Sequence, residues 1–377
     1  MKKVFLYLFV LFVSLLGSSE ARAEKMKLFV VSSYSRDYLW SQDTNEGLCA
    51  ALLDFHFLEN KAQTDAFTKN DFVEGEKTIV KKFWMDTKKK SSPAEMAQAS
   101  KRALQEISEF KPDLVFVGDD NATERIGGSL LDTPTPVVSW GVNVTPLKYG
   151  LLNSLETPGH NVTGVYQPGY PIESLTNLKK LAPSAKTFAI LSDNSETGRA
   201  KAKEIERMAA ENRLPLTLVG SIITNSYAEW KAGVLKYRDR VDAFSVMNHS
   251  TLKDDNGTPV DQMEAGSWYL QNSKKPDCSF EKQFAQEGIL LAADDSGYKQ
   301  GYESVKLAHQ ILVESKNPAM IPVYAPERGK IMVNRERAAM LGIDLSGHDF
   351  IEEFIDKSLA LQKFPASTGK KSNKRFL

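Results

Sequence analysis

The sequence predicts an α/β fold of two doubly wound lobes of similar build, and three observations carry that expectation. Apolar runs of strand length alternate with amphipathic helical stretches along nearly the whole chain, the pattern of parallel sheets covered by helices. An irregular connector rich in Gly, Pro and Asn, residues 142–170, interrupts the alternation, which then restarts. The chain has 377 residues, room for two such cores, and its 42% hydrophobic and 25% charged residues are globular composition.

The first 23 residues read as a signal peptide: Lys2 and Lys3, the apolar run 4–16, then Ala21-Arg22-Ala23, with cleavage after Ala23. The run is shorter than the roughly 20 residues a membrane span needs, and no later segment resembles one. The mature protein is therefore expected to be exported and not inserted in a membrane. Residues 27–32 (KLFVVS) read as the first strand. A helix over 41–57 follows, with an apolar stripe of Leu48, Leu52, Leu53 and Phe55. A second strand is expected near 62–67, and 74–92 as a strand-plus-loop excursion. Pro93 opens a helix to about residue 110, in the first turn where proline is tolerated. Residues 113–118 (DLVFVG) form a buried strand, 121–131 a short helix and 136–141 (PVVSWG) another strand.

After the connector the expected order is helix 172–181, strand 187–192, helix 196–212, strand 215–220 and helix 227–237. Strand 242–248, helix 262–271, strand 288–293 and a long helix over 296–314 come next. A Pro-punctuated extended piece, 318–326, leads to a strand at 330–334 and a helix at 335–341. The tail 368–377 is polar and basic and is expected to be flexible.

Lys and Arg number 48 against 48 Asp and Glu, which argues against a nucleic-acid partner. The two cysteines, Cys49 and Cys278, fall in different units and read as buried free thiols; two are too few for a Cys-based metal site. The sequence contains no G-x-S-x-G, H-E-x-x-H, P-loop or G-x-G-x-x-G motif, so neither a cofactor, a metal nor catalysis is expected.

Ligands of open α/β sheets sit beyond the carboxyl ends of the strands, and two facing units place one cleft between them. The candidate ligand-binding residues are therefore those just after the strands. They are Ser32, Ser33 and Tyr34; Asp119, Asp120 and Asn121; Trp140 and Asn143; Ser195; Asn248 and His249; and Asp294 and Asp295. Tyr166 of the connector completes the set. These loops are rich in hydroxyls, amides, carboxylates and aromatics and nearly free of Lys and Arg. They suit a small polar ligand with a flat or apolar part, and not a phosphate. Each residue also has a structural reading. Asp, Asn and Ser here are good turn formers and helix caps, the two Asp-Asp pairs could hold a metal or serve a glycosidase, and Trp140 could be core. Trp140 and Asp294, from opposite lobes, are expected to contribute most to affinity.

The segments SSYSRDYLWSQDTNEG (32–47), DLVFVGDDNAT (113–123), PVVSWGVNVTPLKYG (136–150), the P-G-H-N-V-T-G passage at 158–164 and NPAMIPVYAPERGKIMVNRERAAMLGI (317–343) resemble those of a known family. The resemblance is to the periplasmic substrate-binding proteins of ABC transporters with the type I periplasmic-binding-protein fold, in the branch that includes tryptophan- and tyrosine-type binding proteins. It covers essentially the whole mature chain. It implies two Rossmann-like lobes joined by three hinge crossings, one lobe made of 24–143 and 295–321, the other of 164–292 and 329–362. It implies capture of a small polar or amino-acid-like ligand, delivered by a monomeric protein to a membrane ABC permease. In such proteins first-lobe hydroxyls and backbone N–H groups meet the ligand carboxylate, and Ser32 and Ser33 match by place; Asp294 or Asp295 would face a ligand amine or hydroxyl. Two departures are the insertion-like stretch 72–92 and residues 252–260. A periplasmic ligand-sensing subunit of a membrane signalling system is the alternative reading, and an exported hydrolase the second.

Overall fold

A computed structural model of the chain describes residues 24–365. The expected signal peptide and basic tail lie outside the described residues. The α/β class of two doubly wound lobes holds. The first lobe carries a six-stranded sheet in the order β2-β3-β1-β4-β5-β6: β1 (Met26–Ser32), β2 (Phe72–Glu74), β3 (Thr78–Trp84), β4 (Leu114–Gly118), β5 (Val137–Asn143) and β6 (Val162–Gln167). Only β2 runs antiparallel to its neighbour in this sheet. In the second lobe the order is β13-β12-β11-β10-β9-β7-β8. Those strands are β7 (Thr187–Ser192), β8 (Thr217–Ile223), β9 (Ala243–Val246), β10 (Asp277–Ser279), β11 (Leu291–Ala293), β12 (Ile331–Asn334) and β13 (Glu353–Ile355).

The strand order reverses between β1 and β4 in one lobe and between β7 and β9 in the other, and the segments that follow β1 and β7 meet through Tyr34 and Thr197. Leu28, Phe29, Val30 and Val31 of β1 are all buried, as a central parallel strand covered on both faces requires. Apolar clusters line both faces of each sheet.

The helices are α1 (Leu39–Asp54), α2 (Lys61–Asn70), α3 (Pro93–Phe110), α4 (Asp119–Ala122, continued by a π turn over Thr123–Gly127), α5 (Pro171–Leu181) and α6 (Glu196–Ala210). In the second half they are α7 (Tyr227–Tyr237), α8 (Gln262–Asn272), α9 (Lys282–Glu287), α10 (Gly297–Leu312), α11 (Arg335–Leu341) and α12 (Leu359–Lys363). Helix α10 returns to the first lobe and lies directly on α1. A Cβ on Gly47 would sit 1.9 Å from the Tyr298 carbonyl oxygen, and one on Gly301 2.1 Å from that of Thr44, so glycine at both places permits the contact.

Two expectations need correction. Residues 62–67 are helical, within α2, because Asn60 caps the helix by accepting from the Gln63 N–H while Asp71 ends it in the left-handed region. The connector contains β6, which pairs with β5, so the start expected for the second lobe at residue 164 falls inside a first-lobe strand. The chain crosses between lobes after β6, between β11 and α10, and before β12.

Candidate interlobe binding site

The loop after β1 carries Tyr34 and Tyr38, and the first turn of α1 carries Trp40, three buried rings that cluster on the cleft side of the first lobe. The Trp40 indole N–H donates to Asp119 Oδ1 at 2.7 Å, and the Tyr34 and Tyr38 rings meet edge to face at 5.2 Å. Across the cleft, Tyr34 OH meets Thr197 Oγ1 at 3.1 Å, and Tyr38 OH accepts from Gln283 Nε2 at 3.3 Å and Asn248 Nδ2 at 3.5 Å. Lys282 Nζ reaches Asp43 of α1 at 3.4 Å. The lobes are thus closed on each other.

These residues enclose a cavity of about 10 Å³, room for about one water. Asn143 and Gln167 line it from the first lobe, and Asn248, Glu281 and Gln283 from the second. Each of the four amides has an oxygen that is buried without a hydrogen-bond partner among the described residues: Asn143 Oδ1, Gln167 Oε1, Asn248 Oδ1 and Gln283 Oε1. Three of these orientations are fixed by chemistry, because the amide nitrogens donate to groups that only accept. Asn143 Nδ2 donates to Asp120, Gln167 Nε2 to the Gly141 carbonyl at 2.8 Å, and Gln283 Nε2 to the Glu281 carboxylate. Turning any of these amides would set oxygen against oxygen. An orphaned buried acceptor costs about 1–3 kcal/mol. Four around one cavity make a cage for hydrogen-bond donors.

The charges around the cage are buried too. Glu281 pairs with Lys201. Asp193 would rise on burial, but the Lys88 ammonium, the Ser195 hydroxyl and the Thr251 and Ser195 N–H groups hold it below the usual carboxylate range. Burial raises Asp119 well above that range despite the Trp40 bond.

The sequence profile described as ABC transporter substrate binding protein matches residues 73–349. The chain belongs to this family. A tyrosine-binding protein of Clostridioides difficile is 24% identical over 243 residues, 64% of this chain and 66% of that protein, just under two thirds of its length. Among solved structures, a Streptococcus pneumonia ABC domain in complex with L-Trp superposes with a TM-score of 0.67 at 20% identity, covering 88% of this chain and all of that one. A ligand-free, open substrate binding protein with adhesive properties from Clostridium difficile gives 0.62, also at 20% identity and with the same coverage. These likenesses confirm the fold.

In this substrate-binding protein, Tyr34, Asn143 and Asn248 line the cavity, while the other candidates lie elsewhere. Trp140 is corrected to core: it is 2% exposed, packs with Phe116 and Leu48, and covers Gly118, where a Cβ would stand 2.2 Å from the ring. Ser33 is a brace, its hydroxyl donating to the Gly118 carbonyl at 2.6 Å and accepting the Ala122 N–H at 2.8 Å. Ser32 lies within the sheet, paired by register with Trp84 and Gly118. Asp120 is engaged by Asn143, Tyr149 and Lys148. Ser195 caps α6, accepting the Gly198 N–H at 3.1 Å. Asn121 donates to Thr87 at 3.1 Å beside the mouth of the cleft. Tyr166 packs into the apolar layer with Val115 and Val117.

His249 is inside the second lobe, bonded to the Met247 carbonyl at 2.9 Å and to Glu287 at 2.6 Å. Burial lowers its pKa, but the Glu287 charge and the two acceptors outweigh this and raise it. Asp294 and Asp295 belong to the hinge. Asp294 Oδ1 accepts the Lys282 N–H at 2.8 Å, and Asp295 Oδ2 accepts the Gly169 N–H at 3.0 Å. Sequence reasoning missed Tyr38, Gln167, Thr197, Glu281 and Gln283. Tyr38 and Gln167 stood next to chosen loops, whereas Glu281 and Gln283 follow a three-residue strand that leaves no periodicity to read.

Proposed function

We propose that this protein captures a small solute bearing a protonated amine and a flat apolar part, an amino acid of aromatic type, and hands it to a membrane ABC permease. The four unpaired amide oxygens carry this reading. An ammonium has three N–H donors and no acceptor, so it satisfies three of the four, leaving one for a further donor. The Tyr34, Tyr38 and Trp40 rings supply the flat wall, where aromatic contacts add about 0.5–1.5 kcal/mol beyond area burial. The tyrosine-binding relative and the neighbour solved with L-Trp point to the same ligand class. The protein works as a monomer outside the cytoplasm, exported through a signal peptide cleaved after Ala23. It acts by binding and release without catalysis, its buried carboxylates being committed to internal partners. Since the closed cavity holds about one water, the solute enters only when the lobes part.

The test is mass spectrometry of what co-purifies, followed by calorimetry with tyrosine, tryptophan, their amine and carboxamide analogues, and neutral sugars. Tight binding confined to amine-bearing solutes is the expected result. Tight binding of a sugar with no binding of any amine would overturn the reading.

A further inference from the structure

The expected insertion-like stretch, 72–92, carries a lysine that faces the cleft. The turn after β3 is folded back onto the first lobe: the Thr87 N–H and hydroxyl both donate to the Ser33 carbonyl at 2.9 Å. Of its three consecutive lysines, Lys89 pairs with Asp37 at 2.7 Å and Lys90 with Asp86 at 3.7 Å, both on the surface. Lys88 points inward and is 5% exposed. Its ammonium stands 4.6 Å from the centre of the Tyr34 ring and 5.8 Å from that of Tyr38, and among the described residues no carboxylate comes within ion-pair distance. Burial lowers its pKa, and the charges that face it are Asp193, Glu281 and Asp119 on one side and Lys201 on the other.

Lys88 lines a second cavity, of about 180 Å³, at the mouth of the cleft. Thr197 lines both this cavity and the amide cage, so the Tyr34–Thr197 contact is the partition between them. Arg125 also borders the mouth, and its Nε is buried with no hydrogen-bond partner among the described residues. The first turn of the 15-residue helix α6 faces in from the other lobe; Ser195 caps only the Gly198 N–H, and helix N-termini favour anions. Two carboxylates share the mouth, Glu124 and Glu196, and Glu196 is paired with Arg199 at 2.9 Å.

We propose that Lys88, with Arg125 and the first turn of α6, forms an anion subsite that receives the carboxylate of the captured solute. This rests on the amine-cage reading and extends it: the solute is dipolar, its ammonium in the cage and its anionic group at the mouth. It also replaces the expected role of Ser33, whose hydroxyl is already committed to Gly118 and Ala122.

The experiment compares tyrosine and tryptophan with their carboxamides by calorimetry, in the wild type and in Lys88→Met and Lys88→Arg. The wild type should prefer each free acid by at least tenfold. Lys88→Met should bind acid and amide alike, and Lys88→Arg should restore the preference. A wild type without preference, or a Lys88→Met protein that keeps it, overturns the subsite. A second arm uses acetate and inorganic phosphate alone. Millimolar anion should raise the melting temperature of the wild type and leave Lys88→Met unmoved; equal responses overturn the subsite whichever solute binds. Failure of the wild type to bind any amine would count against the cage, not against this arm.

Discussion

Asn248 shows how a side chain can cost stability for the sake of a ligand. Its Oδ1 is buried without a partner, and its Nδ2 makes only a 3.5 Å contact with Tyr38. Asn248→Leu removes an orphaned acceptor while keeping the number and branching of the side-chain heavy atoms. The expected outcome is an unchanged or higher melting temperature with solute affinity lowered about tenfold or more, one to a few kcal/mol. Calorimetry beside a melting curve checks both signs, and a loss of stability without loss of affinity would refute it. Trp140→Ala should do the reverse. It opens a hole among Phe116, Leu48 and Gly118, at about 3–5 kcal/mol of stability read by urea unfolding, while the folded fraction still binds. The sequence could place Trp140 and Asn143 on one strand end, but not say which faces the cleft. Every residue of β5 is buried, so period-two alternation gives no signal there. Asp120, Ser195 and His249 were equally near the strand ends, and local partners took up their polar atoms.

Elements with complete local signals were readable. Helix α3 has Pro93 at its first position and a capping box in which Ser92 accepts the Glu95 N–H while Glu95 reaches back to Ser92. Ser92→Ala should lower stability by about 1 kcal/mol, within the 0.5–2 kcal/mol of N-cap losses, and leave solute affinity unchanged; denaturant unfolding measures the first and calorimetry the second. Helix α2 was misread because Ala62, Ala66 and Phe67 are too few to set a period, and its two caps decide the matter. β10 and α9 were not anticipated because Asp277–Ser279 and Lys282–Glu287 are shorter than any reliable pattern. Their fold depends on the tertiary frame: β10 is held between β9 and β11. That same pair of short elements delivers Glu281 and Gln283 to the cleft, so part of the site was hidden for the same reason as part of the fold.

At the scale of the whole molecule, the Asp294-Asp295 dipeptide ties the three crossings together. Asp295 holds the Gly169 N–H after β6, and the Asp294 backbone exchanges hydrogen bonds with Gly329 at 2.7 Å and Lys330 at 3.1 Å before β12. Both carboxyls are buried. Burial first, and then the charge of Asp43, pushes Asp294 up to about 7. Burial raises Asp295 to about 8, against the pull of Lys201 and with a push from Glu281 and Asp294. In an unfolded chain both would titrate near 3.9. Because their folded pKa values are raised, these groups favour the folded state fully below about pH 4, and that contribution is lost as pH rises through about 7 to 8. Asp295→Asn keeps an oxygen for the Gly169 N–H and cannot ionise. It should match the wild type near pH 4 and melt higher than it at pH 9, with the difference growing across the interval. Melting curves from pH 4 to 9 on both proteins decide the point: parallel curves would mean that Asp295 is ionised in the hinge at no cost, and that the crossings are not held by a protonated pair.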